Sequence, residues 1–183
     1  MSNFEESVNR VLEHEGGLVD NPLDKGGITN HGISLRFLSG IPFKRMVKYF
    51  KIYDKKDLTH LITNMSIETA KNIYKGEFWE NKLFEQIEKQ IVCNYYFDMS
   101  INHGESQSTK IVQRSLWAAN EKFEIVKDDG IFGFETLKHI NRQPAYSLLS
   151  CMMSERSGFY RLLVEKDPSQ KEFLNGWLKR CYK

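Results

Sequence analysis

Apolar side chains recur along the first dozen residues with the spacing of a helix. Phe4, Val8 and Val11 fall on one face of a period of about 3.6 residues, which predicts a helix over 3–14. Glu15 continues that apolar face, and the two glycines that follow it stop the helix. The pattern therefore predicts an acidic side chain at a helix end, on the apolar side.

The next stretch, residues 17–34, carries no helical period. Asn21-Pro22 and Gly26-Gly27 are typical of turns, and the stretch 28–34 indicates a short strand or the return arm of a small hairpin.

Helical patterns cover most of the remaining chain. Ser66 is a candidate N-cap, and Gly104 follows a helix whose inward face carries Ile87, Ile91, Tyr95 and Met99. The predicted helices lie at 43–52, 55–63, 67–79, 85–103, from Ser106 or Ser108 to 119, 134–141, 145–165 and 169–181. The predicted fold class is therefore mainly α (α+β), with one small β element near the start.

Composition narrows the possible classes of protein. The 183 residues are 40% hydrophobic, enough to build a core for one compact domain or for a domain with a small subdomain. A net charge of +2, with acids and bases interleaved, argues against nucleic-acid binding, and the basic stretch 44–56 is expected to be a solvated helix face. The apolar runs are too short to cross a membrane.

Cysteine usage and the N-terminus bear on where the protein is made. Three cysteines without CxxC spacing indicate buried free thiols rather than disulfides. The first ten residues lack a signal-peptide pattern, which predicts synthesis in the cytoplasm without a signal peptide, so a substrate outside the cell would require another export route.

The glycine-rich stretch offers residues suited to glycoside hydrolysis. That reaction needs a carboxylic acid that protonates the leaving oxygen and a second group that holds water or stabilises charge. Glu15 has the apolar setting that raises the pKa of a carboxyl group, and Asp24 with Thr29 could face it across a cleft from a hairpin. The alternative is that Glu15 is a surface helix-end acid and that Asp20 and Asp24 are ordinary turn residues.

The same stretch, VLEHEGGLVDNPLDKGGITNHGIS, resembles the opening signature of glycoside hydrolase family 108, the N-acetylmuramidases of secretion-associated and phage endolysin type. Further similarities follow in order along the chain. They are IYKGEFWENK at 73–82, YYFDMSINHG at 95–104, a peptidoglycan-binding type segment at 112–137, and closing helices at 159–180.

This resemblance implies a lysozyme-like fold and hydrolysis of the β-1,4 bond between N-acetylmuramic acid and N-acetylglucosamine. Glu15 would be the general acid of an inverting mechanism, and Asp24 with Thr29 would hold the attacking water. The Glu–Asp–Thr order is similar to that of phage lysozymes, which hold a water with Asp and Thr on a hairpin, but the interval from Asp24 to Thr29 is one residue shorter here. Asp20 remains an alternative to Asp24 as the second carboxylate of the site. A catalytic region over 1–90 and a helical peptidoglycan-binding region over 91–183 are expected to pack as one unit.

Four further residues are candidates for substrate binding. Asp98 and Asn102 meet on one helix face, where the pair either reaches a cleft or ties helices together. Trp79 and Tyr74 could stack on sugar rings or pack in the core. The histidines show no metal-binding spacing, so neither a metal nor a cofactor is predicted.

Three other functions compete with a muramidase: a lytic transglycosylase, a non-catalytic cell-wall binding module, and a secretion-linked structural protein. The expected partners are peptidoglycan glycan strands and a holin or secretion system for export. Nucleic-acid binding and membrane insertion are not expected, and the protein is expected to be a monomer.

Overall fold

A computed structural model describes residues 1–14, 17–20, 27–52, 57–119 and 126–182. It divides the chain into two units. We call Val8–Glu80 the hairpin unit, and Met1–Ser7 with Asn81–Lys183 the helical unit. The predicted boundary between 90 and 91 stays a prediction.

The hairpin unit is built on the second part of helix α1 (Phe4–His14), whose Val8 and Val11 are fully buried. Strands β1 (Thr29–Asn30) and β2 (Ile33–Ser34) pair antiparallel and form the predicted hairpin. The other elements of this unit are α2 (Leu35–Ser39), α3 (Phe43–Phe50), α4 (Leu58–Thr63), α5 (Ile67–Tyr74) and a π-helical turn (Lys75–Trp79).

Polar side chains cap the starts of α2 and α5. The Ser66 hydroxyl accepts a hydrogen bond from the backbone N–H of Thr69, which confirms Ser66 as the N-cap of α5. Ser34 caps α2 in the same way through the N–H of Phe37. The end of the hairpin therefore leads directly into a helix.

The helical unit is centred on α6 (Gln90–His103), which packs against α7 (Glu105–Ala119) and α9 (Ala145–Lys166). Every residue from Val92 to Ser100 is buried. The sequence predicted a single buried face for this helix, but the structure buries all of its faces over these residues. A helix enclosed on all sides has no separate apolar stripe. The unit also contains α8 (Phe134–Arg142), α10 (Leu174–Cys181), and 3-10 turns at Phe84–Gln86 and Pro168–Phe173.

The start of α6 differs from the predicted start at residue 85. The Asn141 side chain donates to the carbonyl of Gln86 and accepts from the N–H of Glu88, at 2.9 and 3.0 Å. These long-range hydrogen bonds fix the backbone of Gln86 and Glu88 before the helix, and α6 begins at Gln90. Sequence periodicity contains no signal for such contacts.

The described residues confirm the predicted fold class, since ten α-helices and one small hairpin account for most of their secondary structure. Cys93 and Cys181 are buried free thiols, Cys151 is a half-buried one, and burial raises the pKa of Cys93 to about 11. Within the described ranges, no helix has the length and apolar character needed to span a membrane.

Candidate active site

The hairpin has a tight two-residue turn at His31 and Gly32. Both residues have positive φ, 49° and 78°, the combination that matches the twist of paired strands in a type I′ turn. Glycine adopts this conformation freely, which explains its place at the second position.

Two side chains from other elements hold the hairpin in place. Asn30, which is buried, donates from its side-chain amide to the carbonyl of Ile62 in α4 at 2.9 Å. The Tyr74 hydroxyl donates to the backbone carbonyl of His31 at 2.9 Å. The turn and the first strand are therefore each tied to a helix, which suits a hairpin that must present side chains precisely.

Thr29 lies at the centre of this supported element. Its backbone pairs with Val19 through two hydrogen bonds of 2.8 and 2.9 Å, and its Cα pairs with Ser34 on the other side. Its hydroxyl donates to the carbonyl of Gly27 at 3.3 Å, and the residue is half-buried. A partly accessible hydroxyl on a fixed backbone can contact a water or a substrate atom.

The two carboxylates assigned to the site, Glu15 and Asp24, lie outside the described residues. Asp20, the rival second carboxylate, is exposed and directly follows Val19, the bridge partner of Thr29. The roles of Glu15, Asp24 and Thr29 therefore stay predictions.

Trp79 and Tyr74 lie in the interior. Trp79 is 2% exposed and Tyr74 is 1% exposed, so their burial favours core packing over sugar stacking. Tyr74 also has a definite structural task, because its hydroxyl supports the hairpin turn.

Asp98 and Asn102 are occupied by contacts within the helical unit. Asp98 is 4% exposed and forms ion pairs with Arg156 at 2.9 Å and Arg180 at 2.6 Å. The Asn102 amide donates to the carbonyl of Asp98, one turn earlier in α6, at 2.7 Å. For Asp98, burial and pairing favour the alternative in which the side chain ties helices together.

The supporting role of Asn30 was not recognised from the sequence. An asparagine next to His31-Gly32 is typical of a turn, and only the long-range contact with Ile62 reveals its second task. In the described part of the chain, no group of three His, Cys, Asp or Glu side chains could hold a metal ion.

Comparison with known protein families shows which family the chain belongs to. A family model described as glycosyl hydrolase 108 matches residues 8–104. The chain belongs to this family. A second model, described as a predicted peptidoglycan domain, matches residues 107–182. Together the two matches confirm the resemblance seen in the sequence and identify a lysozyme-like glycoside hydrolase directed at peptidoglycan.

Solved structures support the same fold. SagA from Brucella abortus has a TM-score of 0.69 and 23% sequence identity, over 98% of this chain and 89% of that one. None of the curated proteins matches the chain.

Proposed function

We propose that this protein is an N-acetylmuramidase that cleaves the β-1,4 bond between N-acetylmuramic acid and N-acetylglucosamine. Glu15 is the general acid that protonates the glycosidic oxygen. Asp24 and Thr29 hold a water on the opposite face of the sugar, so that the reaction inverts the anomeric centre without a covalent intermediate.

The observation that carries the proposal is the family match over residues 8–104, which spans Glu15, Asp24 and Thr29. The supported hairpin is consistent with it, since Thr29 lies in a hairpin whose first strand and turn are each held by a contact from a helix. A hydroxyl in this setting suits the positioning of one water, because the backbone that carries it has little freedom to move.

The chemistry assigns different protonation states to the two carboxyl groups. A general acid must keep its proton near neutral pH, which an apolar setting favours by disfavouring the charged form. The second carboxyl group must be ionised to accept a proton from the attacking water.

Product analysis of purified peptidoglycan tests the proposal. Mass spectrometry is expected to find reducing muramic acid ends. NMR spectra recorded during the reaction are expected to show that these ends form with inverted configuration. Anhydro-muramic acid ends would instead identify a lytic transglycosylase, and intact glycan would identify a wall-binding module.

Variants test the residue assignments. Glu15→Gln is expected to lower kcat about 10²–10⁴-fold while wall binding persists, since general acid catalysis contributes about that much. Asp24→Asn and Asp20→Asn form a matched pair, and the larger loss of kcat is expected for Asp24. Full activity of Glu15→Gln would refute its role, and a larger effect at Asp20 would transfer the second role to that residue.

The proposed site of action is the cell wall, reached through a holin or a secretion system. Detection of the protein in the periplasm only when such a pathway is intact would support this route. Detection of the protein in the periplasm when the pathway has been removed would contradict this route.

A further inference from the structure

A groove lies beside β2 in the hairpin unit. Its volume is about 460 Å³, and it is lined by Ser34, Arg36, Phe37, Gly40, Ile41 and Glu77. This volume falls within the range of about 300–1,000 Å³ that is usual for small-molecule sites. Since Ser34 is the cross-strand partner of Thr29, the groove begins one strand away from the proposed water-holding hydroxyl.

A carboxylate held by two partners forms part of the groove wall. The Glu77 side chain is 12% exposed; one oxygen accepts from Arg45 at 2.6 Å and the other accepts from the Tyr49 hydroxyl at 2.8 Å. An ionised carboxylate has about four acceptor positions, so two hydrogen bonds leave acceptor capacity for a ligand. Glu77 is therefore fixed in orientation and still able to accept hydrogen bonds.

The backbone around Glu77 is shaped to allow this arrangement. Gly76 lies in the π-helical turn, and a Cβ placed there would come within 2.1 Å of the Tyr49 hydroxyl oxygen. Only glycine therefore lets Tyr49 reach Glu77. Burial and the hydrogen bond to Glu77 raise the pKa of Tyr49, so the hydroxyl keeps its proton and remains a donor. Such π-turns are frequent at functional sites.

The rest of the groove presents a ring and a cation. Phe37 stacks on Phe78 with ring centroids 5.3 Å apart, which holds the ring of Phe37 in place at the groove. Arg36 is exposed and, among the described residues, forms no ion pair, in contrast to Arg45. An aromatic ring, a carboxylate acceptor and an exposed guanidinium together suit a sugar that also carries a carboxylate.

We propose that this groove is a binding subsite for a muramic acid residue of the glycan strand. Glu77 accepts hydrogen bonds from sugar hydroxyls, Phe37 contacts the sugar ring, and Arg36 binds the carboxylate of the lactyl group or of the attached peptide. The inference rests on the proposed muramidase function, because it assumes that the same glycan strand passes Thr29 and enters the groove.

Calorimetry of the full chain in the Glu15→Gln background tests the subsite without turnover. The probe is a soluble peptidoglycan tetrasaccharide that carries stem peptides. Arg36→Gln is expected to weaken its binding about tenfold, the size of one lost charge-assisted contact. Arg36→Lys is expected to restore part of the affinity, since the charge returns without the planar fork.

A control variant and a second probe separate recognition from general effects. Lys44→Gln removes an exposed positive charge from α3 away from the groove lining and is expected to leave affinity unchanged. Chitotetraose lacks the lactyl and peptide carboxylates, so Arg36→Gln is expected to leave its binding unchanged. Arg36 is exposed, so its replacement is expected to leave the fold intact, as equal melting temperatures would verify.

The outcomes separate this inference from the proposed function. Equal affinity of the parent and Arg36→Gln proteins for the peptide-bearing tetrasaccharide overturns the subsite, whether or not the wild type cleaves peptidoglycan. An equal loss for chitotetraose overturns it too, because carboxylate recognition is then absent. If the wild-type protein binds through Arg36 but releases no reducing ends, the subsite is supported and the proposed muramidase activity is refuted.

Discussion

Asp98 in the helical unit and Glu77 in the hairpin unit both bind arginine, but water reaches the two clusters very differently. The side chains of Asp98 and Arg156 are 6% and 0% exposed, and Arg180, the third member, is 17% exposed. In the other cluster Glu77 is 12% exposed, whereas its partner Arg45 is 55% exposed. One cluster is closed within its unit, and the other borders a groove.

This difference separates a structural role from a binding role. Burial alone would raise the pKa of Asp98, but the charges of Arg156 and Arg180 outweigh burial and hold that pKa below its usual range. The enclosed charges depend on one another, because an ion left without its partner inside a protein is strongly destabilising. Glu77 has a solvated partner and faces a cavity, so its replacement should affect ligands more than folding.

The largest expected effect is at Asp98. Asp98→Asn leaves two arginines without their counter-ion, and the loss in unfolding free energy is expected to be about 3–5 kcal/mol. Urea denaturation measures this loss. Glu165→Gln, which removes an exposed acid from the same helix as Arg156, is expected to change stability by less than about 0.5 kcal/mol. A similarly small effect at Asp98 would remove the contrast between the clusters.

The second prediction concerns acid sensitivity next to this cluster. His103 is surrounded by Phe159, Tyr160, Arg156, Asp98 and Arg180, and burial together with the charge of Arg156 lowers its pKa to about 3. The folded state therefore keeps His103 neutral, while the unfolded chain takes up a proton near pH 6.5. Stability from this residue is complete above pH 6.5 and is lost as the pH falls toward 3.

Denaturation at pH 7.5 and 4.5 measures this loss, which is at most about 1.4 kcal/mol per pH unit. His103→Gln is expected to flatten the dependence between these two values. The pKa of Asp98 is lowered in the folded state, so its contribution to stability is complete above about pH 4 and declines only at more acidic pH. An unchanged slope in the variant would show that His103 titrates normally in the folded protein.

The third prediction tests the packing behind Glu77. Gly76→Ala forces its new methyl group against the Tyr49 hydroxyl, and this overpacking is expected to cost about 1–3 kcal/mol. Tyr49→Phe removes the hydroxyl and should reduce the penalty in a double-mutant cycle. Gly158→Ala, at a glycine of α9 with open space around it, is the control and should stabilise by up to about 1 kcal/mol. Additive effects at residues 76 and 49 would contradict the close approach.

The smallest expected effect on stability is at Glu77. Glu77→Gln is expected to lower the unfolding free energy by no more than about 1 kcal/mol, because Arg45 is largely solvated. Binding of the peptide-bearing tetrasaccharide should nevertheless weaken several-fold. Glu80→Gln, which alters a longer 3.9 Å pair with Lys48, should leave both measurements unchanged. If Glu77→Gln unfolds the protein as Asp98→Asn does, the two clusters have the same role.

Local sequence signals predicted much of the hairpin unit. The period of Phe4, Val8 and Val11 predicted α1, and the turn residues after it predicted a hairpin where β1 and β2 lie. The basic stretch at 44–56 was expected to be a solvated helix face; its Arg45 is 55% exposed, and it also pairs with Glu77. Charge spacing along the chain could not show this, because the acid lies 32 residues further on.

The sequence by itself determined the start of α5 at Ser66, the end of α6 at Gly104, the short hairpin and the family, because each depends on neighbouring residues or on motifs in fixed order. The start of α7 was predicted at Ser106 or Ser108 and lies at Glu105. Tertiary structure decided which acidic side chains are enclosed and which border a cavity. Asp98 and Arg180 lie 82 positions apart, and no local pattern relates them. Burial, and with it the pKa and the role of a carboxylate, arises only when such distant segments pack together.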